Sequence, residues 1–215
     1  MKTQTTLRRF TLGACALALG LGMLQAHAGD AALYGPKAPK GSAFVRAYNA
    51  GHAELDVNVG EVQLKQVAPL GSSDFKFLPA GSYQAQVGST ALPVKLEAAH
   101  YYTLVNQTGG APRLVEEPAF TNKQKAMLRV QNLSDSKLSV KTADGKTPVV
   151  ADVAPNGRGD REINPVKVGL ALYAGDKKIT DLKPVTLERG EVVSLFVTGG
   201  QGKLSPVWVK RPIDG

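Results

Sequence analysis

The sequence predicts an all-β protein built as two tandem small antiparallel β-sandwich domains. Apolar residues alternate with polar ones at period two over many short stretches, and no stretch after residue 28 keeps the spacing of an amphipathic helix. The pattern also starts again. Val45, Arg46, Ala47, Tyr48 and Asn49 return as Leu128, Arg129, Val130, Gln131 and Asn132, about 83 residues later. Val67, Ala68, Pro69, Gly71, Asp74 and Pro79 return as Val153, Ala154, Pro155, Gly157, Asp160 and Pro165 at about 86, and Leu96, Glu97, Thr103 and Leu104 as Leu187, Glu188, Ser194 and Leu195 at about 91. A growing offset means extra residues in the second copy, and insertions accumulate in loops.

The chain opens with Lys2, Arg8 and Arg9, an apolar run from Thr11 to Leu24, and the small-residue site Ala26-His27-Ala28. This is the layout of a cleaved secretory signal peptide over residues 1–28, and the run is too short for a membrane span. Leu12-Gly13-Ala14-Cys15 resembles a lipoprotein box, but the apolar run continues past Cys15, so no lipid anchor and no stable membrane insertion are expected. Cys15 is the only cysteine. The mature chain therefore has no disulfide, no thiol nucleophile and no thiolate ligand.

The first domain is expected over 29–115. After an irregular lead-in with Leu33-Tyr34-Gly35-Pro36, short strands follow around Val45, Leu55, Phe75, Tyr83, Leu92 and Tyr102, separated by glycine and proline turns. Residues 116–125 read as a linker, with Pro118, Phe120, Lys123 and Lys125. The second domain, 126–215, repeats the alternation, with Asp144-Gly145 and Asn156-Gly157 as hairpin dipeptides. Each domain is expected to hold about seven strands and to fold by itself.

Lys and Arg number 26 against 18 Asp and Glu, for a net charge of +8. Without the leader about +5 remains, most of it in the second half. That bias suits an acidic polymer or an acidic protein face, and without an arginine-rich tract it does not suit nucleic acid.

The mature chain has two histidines, His52 and His100, each expected on an exposed loop and neither beside a second ligand at metal-site spacing. There is no Gly-x-Ser-x-Gly elbow. No catalytic residue, metal or cofactor is expected, and the protein is not expected to be an enzyme. Polar residues shared by both copies (Arg46 and Arg129, Asn49 and Asn132, Asp74 and Asp160, Glu97 and Glu188) suggest a repeated fold device, either a turn hydrogen bond or an Arg–Asp pair. Binding residues are sought among features of one copy only: Lys123 and Lys125 in the linker, Arg158 and Arg161 in a charged loop, and Trp208, Lys210 and Arg211 near the C-terminus. Trp208 is read either as core or as a ring that stacks on a sugar.

Asp30-Ala31-Ala32-Leu33-Tyr34-Gly35-Pro36, Phe44-Val45-Arg46, Leu114-Val115-Glu116-Glu117-Pro118, Asn122-Lys123-Gln124-Lys125-Ala126 and the run from Gly159 through Asp160-Arg161-Glu162-Ile163-Asn164-Pro165 to Val168 resemble the AlgF family of alginate O-acetylation proteins. The resemblance spans the mature chain. It implies a periplasmic accessory protein of two β-sandwiches, needed for acetylating the exopolysaccharide while separate transferases carry out the chemistry. It brings no catalytic residues to transfer. The implied partners are periplasmic and membrane alginate acetylation proteins, for which this chain would be an adaptor. The alternative is a carbohydrate-binding module that holds alginate itself.

Overall fold

The computed structural model describes residues 38–200 and 202–211. The signal peptide expected over 1–28 and the Leu33–Pro36 lead-in lie outside the described residues. All regular structure among the described residues is β.

The first domain contains β1 (Ser42–Asn49), β2 (Leu55–Val59), β3 (Val62–Val67), β4 (Gly71–Ser72), β5 (Lys76–Pro79), β6 (Gly81–Val87), β7 (Thr90–Leu96), β8 (Tyr101–Asn106) and β9 (Arg113–Glu117). One sheet runs β4-β1-β8-β9, with β5 also on β1, and the other runs β3-β2-β6-β7. Alternate residues fill the space between them: Val45 and Ala47 from β1, Val57 and Val59 from β2, Ala85 and Val87 from β6, Val94 and Leu96 from β7.

The second domain contains β10 (Ala126–Asn132), β11 (Leu138–Thr142), β12 (Pro148–Val153), β13 (Arg158–Ile163), β14 (Val166–Val168), β15 (Leu170–Ala174), β16 (Lys177–Asp181), β17 (Val185–Leu187), β18 (Val192–Gly200) and β19 (Lys203–Arg211). Its sheets run β13-β10-β18-β19 and β12-β11-β15-β16, with β14 and β17 as a separate pair. Leu128, Val130, Leu138, Val140, Leu172 and Leu195 form its core. Asp144-Gly145 turns the β11–β12 hairpin as expected, with Gly145 at φ 74°, whereas Asn156, at φ 59°, carries the chain from β12 to β13 in the other sheet, so the second expected hairpin is a crossing between sheets.

The structure corrects three further expectations. The domains have nine and ten strands instead of about seven. The sheets are not wholly antiparallel, because β1 runs parallel to β8 and β10 parallel to β18. In each copy the chain crosses to the opposite sheet and returns beside its first strand in the same direction, which requires a long connection. Third, β9 continues through Glu116 to Glu117, two residues into the segment expected as linker.

The domains stack face to face. With Val45 and Ala47 turned inward, period two turns Arg46 and Tyr48 to the outer face of the first domain's sheet. In the same way β10 and β18 present Arg129, Gln131, Ser194 and Phe196 outward, and all of these side chains are buried. Tyr48 stacks on Phe196 at 4.6 Å between centroids, and Ala50, Val105, Leu133 and Val209 close around them as a third apolar cluster. The result is four layers of sheet with three buried seams.

Candidate functional site

The seam between the domains holds a buried ion cluster. Glu117, fully enclosed at the end of β9, accepts a 2.6 Å charged hydrogen bond from Arg46 and a short one from the Thr103 hydroxyl. Its other oxygen accepts from Ser194 at 3.2 Å and lies 3.8 Å from Arg129. Arg46 also donates to Thr103 and lies over the Phe75 ring, 4.6 Å from its centroid. Arg129 makes a two-point bond to Asp160 at 3.0 Å and donates to the Pro118 carbonyl. Burial alone would push the Glu117 carboxyl up. The Arg46 charge, hydrogen bonds from Thr103 and Arg46, and the Arg129 charge outweigh it and hold the carboxyl below its ordinary value. Burial likewise pushes the Tyr48 hydroxyl up to about 12, against a smaller opposing contribution from Thr198.

The duplicated polar residues divide by role. Asn49 ties its turn by donating to the Ala53 and Val67 carbonyls and accepting from Gly51, and Asn132 does the same with Ser136, Val153 and Ser134. Glu97 and Glu188 each close a turn through the backbone carbonyl, to His100 and Glu191. The Arg–Asp pair exists only in the second copy. In β13, Gly159 and Asp160 stand opposite Val130 and Arg129. In the first copy three residues, Ser73, Asp74 and Phe75, span the interval opposite Ala47 and Arg46, since Ser72 pairs Tyr48 and Lys76 pairs Val45. This one-residue bulge breaks the strand into β4 and β5. Asp74 is exposed and Phe75 takes its place over Arg46. Glu117, which sequence reasoning had placed in the linker, is the acid that Arg46 uses.

A second difference opens a cleft. In the first copy β6 and β7 form one unbroken hairpin, from Gly81↔Leu96 to Val87↔Thr90. Its counterpart is split into β15·β16 and β14·β17, with Gly169 on one side and Leu182-Lys183-Pro184 on the other. Proline is not the cause, since Pro93, the counterpart of Pro184, pairs with Gln84 inside the unbroken hairpin of the first copy. The splayed β14, with the edges of β12 and β13, borders a cleft of ≈ 310 Å³ lined by Lys125, Arg161, Asn164, Val166 and Val168 among others. Val166 is 43% exposed at its mouth.

The sequence-derived candidates fall into three groups. Lys125 and Arg161 meet at this cleft: Lys125 Nζ donates to Asn164 Oδ1 at 2.8 Å, and one Arg161 terminal nitrogen donates to the Pro148 and Val149 carbonyls at 3.0 and 2.9 Å. Arg158 serves the domain seam, paired with Asp160 at 3.3 Å and bonded to the Glu116 carbonyl of the first domain, while Lys123 is exposed on the linker. On β19, at the opposite edge of the sheet from β13, Trp208 packs on the second core and donates to the Lys183 carbonyl, which fits the core reading of that residue. Lys210 is held by Glu191 and the Thr186 carbonyl. The Arg211 backbone pairs with Val192.

His100 is not isolated as expected: its Nδ1 lies 2.9 Å from Glu116 Oε1, on the surface. Among the described residues no group of three potential metal-ligating side chains is found.

Fold and surface together define a two-domain β-sandwich protein with a sealed ionic seam and a cationic cleft in one copy only. The family model described as "Alginate O-acetyl transferase AlgF" matches residues 16–194, and the chain belongs to that family. It is 68% identical to the alginate biosynthesis protein AlgF of Pseudomonas aeruginosa over 99% of both chains. It is 62% identical to that of Azotobacter vinelandii over 92% of this chain and 94% of the relative. Structures of the separate C-terminal and N-terminal domains of AlgF from P. aeruginosa match 41% and 38% of this chain at 74% and 65% identity, covering all of each domain, with TM-scores of 0.39 and 0.35.

Proposed function

We propose that this alginate biosynthesis protein is a non-catalytic periplasmic adaptor for O-acetylation of the polymer, binding the proteins that carry out the transfer. The observation that carries this reading is how its polar groups are used. The strongest charge cluster, Arg46–Glu117–Arg129, is sealed between the domains, where it holds them in one orientation and is closed to substrate. The accessible charged surface is concentrated in the second copy. Residues with acid–base capacity are poorly equipped for acyl transfer: His100 meets Glu116 on an exposed strand edge, and no serine or threonine hydroxyl is hydrogen-bonded to either among the described residues.

Reversing Lys123, Lys125 and Arg161 to Glu in cells, with Arg158 left in the seam, tests the adaptor. Polymer yield is expected to stay normal while its acetyl content falls and capture of the acetylation proteins is lost. Unchanged acetylation at normal abundance of a folded variant excludes these surfaces. The non-catalytic part is tested by the double variant His52→Ala, His100→Ala, expected to acetylate normally, since a true general base contributes about 10²-fold or more.

A further inference from the structure

We propose that the cleft of the second domain receives an extended, acidic segment of a partner protein, which adds as a strand to the free edge of β14 and sets a carboxylate against Lys125 and Arg161. The inference rests on the adaptor reading for the identity of the partner and deepens it, by naming the kind of segment that is held and where.

The cleft lies where three sheet edges meet. β12 ends one four-stranded sheet, β13 ends the other, and β14 pairs only with β17. Arg161 caps the start of β12 by donating to the Pro148 and Val149 carbonyls. The edge of β14 away from β17 pairs with no strand among the described residues, and such a row of unused N–H and C=O groups is a template for another chain. A strand added there sets alternate side chains on the face of β14 that carries Val166 and Val168. Val149 and Ile163 continue that face as an apolar strip, half-buried except at the exposed Val166. At ≈ 310 Å³ the cleft admits a few side chains of a passing chain and no globular surface.

Charge selects what the segment carries. Asn164 holds the Lys125 ammonium, and the two carbonyls of β12 hold one terminal nitrogen of Arg161, leaving the rest of its N–H fork without a partner among the described residues. Donors fixed in this way lose little side-chain entropy on binding, and a planar guanidinium matches a carboxylate. Lys167, exposed between the two valines, adds a third positive charge along the edge. Against them stands Glu162, the carboxylate among the lining residues, one of whose oxygens accepts from the Asn122 amide at 2.8 Å. β14 is three residues long, so few main-chain bonds are on offer, and the side-chain contacts must supply the specificity and much of the affinity. A basic segment would meet like charge here and be rejected.

The test titrates the full mature chain with an end-blocked octapeptide of alternating valine and glutamate, following amide shifts and amide exchange by NMR. Two controls are the valine–lysine counterpart and the valine–glutamate peptide N-methylated along its backbone, which keeps the side chains and removes the main-chain donors. Saturable shifts and slowed exchange at Val166, Lys167 and Val168 are expected with the first peptide, and either control should bind about tenfold or more weakly. Lys125→Ala with Arg161→Ala should weaken binding to a similar degree. Because Arg161 also braces β12, Val166→Asp provides a second variant that removes no side-chain hydrogen bond and places a negative charge in the strip; it too should weaken binding. No binding, equal binding of either control, or binding untouched by both variants overturns the proposal. Capture of the acetylation proteins is measured on the same chains, and the valine–glutamate peptide should compete with it. Capture that neither the peptide nor Val166→Asp disturbs overturns this site and leaves the adaptor reading standing. Peptide binding at β14 by a wild-type chain that captures none of those proteins overturns the adaptor reading and supports the strand site.

Discussion

Arg46 and Arg129 occupy the same place in the two copies, yet the first is neutralised by Glu117 from β9, two strands away across β8, and the second by Asp160 from the adjacent β13. One inserted residue accounts for the difference. The bulge at Ser73–Phe75 turns Asp74 out to solvent, so the first arginine, enclosed by the second domain, needs another acid, and β9 supplies it. The comparison teaches that a duplicated residue can keep its position and burial while its partner changes, because a buried charge must be neutralised by whatever the local backbone brings within reach.

The largest effect is expected at Glu117. Glu117→Ala leaves Arg46 buried without its partner and deprives Arg129 of a counter-charge, and breaking a buried pair in this way costs about 3–5 kcal/mol; urea denaturation reads the loss. Phe196→Ala removes the ring stacked on Tyr48 and opens a cavity in the seam, a change that costs about 3–5 kcal/mol where collapse is incomplete. The folded-state carboxyl of Glu117 titrates below its ordinary value of 4.5, so its contribution is fully present above that pH and is lost as pH falls through the lowered value. Wild type should therefore lose stability on acidification below 4.5 more steeply than Glu117→Gln, as thermal melts across that range would show. Asp160→Ala should cost less than Glu117→Ala, about 1–3 kcal/mol, since Asp160 is partly open to solvent and Arg129 keeps Glu117 nearby. Asp74→Ala, the matching change in the first copy, should stay within about 0.5 kcal/mol. Equal costs at Asp74 and Asp160 would show that the two arginines are used alike after all.

Much of the fold was legible. Alternation at Val45/Ala47, Val57/Val59 and Leu138/Val140 gave the inward faces, and the asparagines gave the turn device. The stacking of the domains was not read, though it left a trace: Tyr102-Thr103-Leu104-Val105 and the run from Val192 through Ser194 to Val197 are apolar on nearly every residue, as strands buried on both faces are. Glu117 was obscured by its neighbours, because Glu116-Glu117-Pro118 has the composition of a linker and burial depends on a domain that follows later in the chain. At the cleft, Lys125 and Arg161 were singled out as one-copy cations, whereas the apolar strip beside them was missed. Val166 and Val168 resemble any half-buried strand, and only the separation of β14·β17 from β15·β16 exposes them.

The central claim is that the two copies form one rigid body locked through the seam. Backbone ¹⁵N relaxation of the full chain, read separately for amides of residues 42–117 and 126–200, tests it directly. One overall tumbling time shared by both halves, with Glu117→Ala separating them or shortening both, is the predicted result. Two independent and shorter tumbling times in the wild-type chain would contradict it.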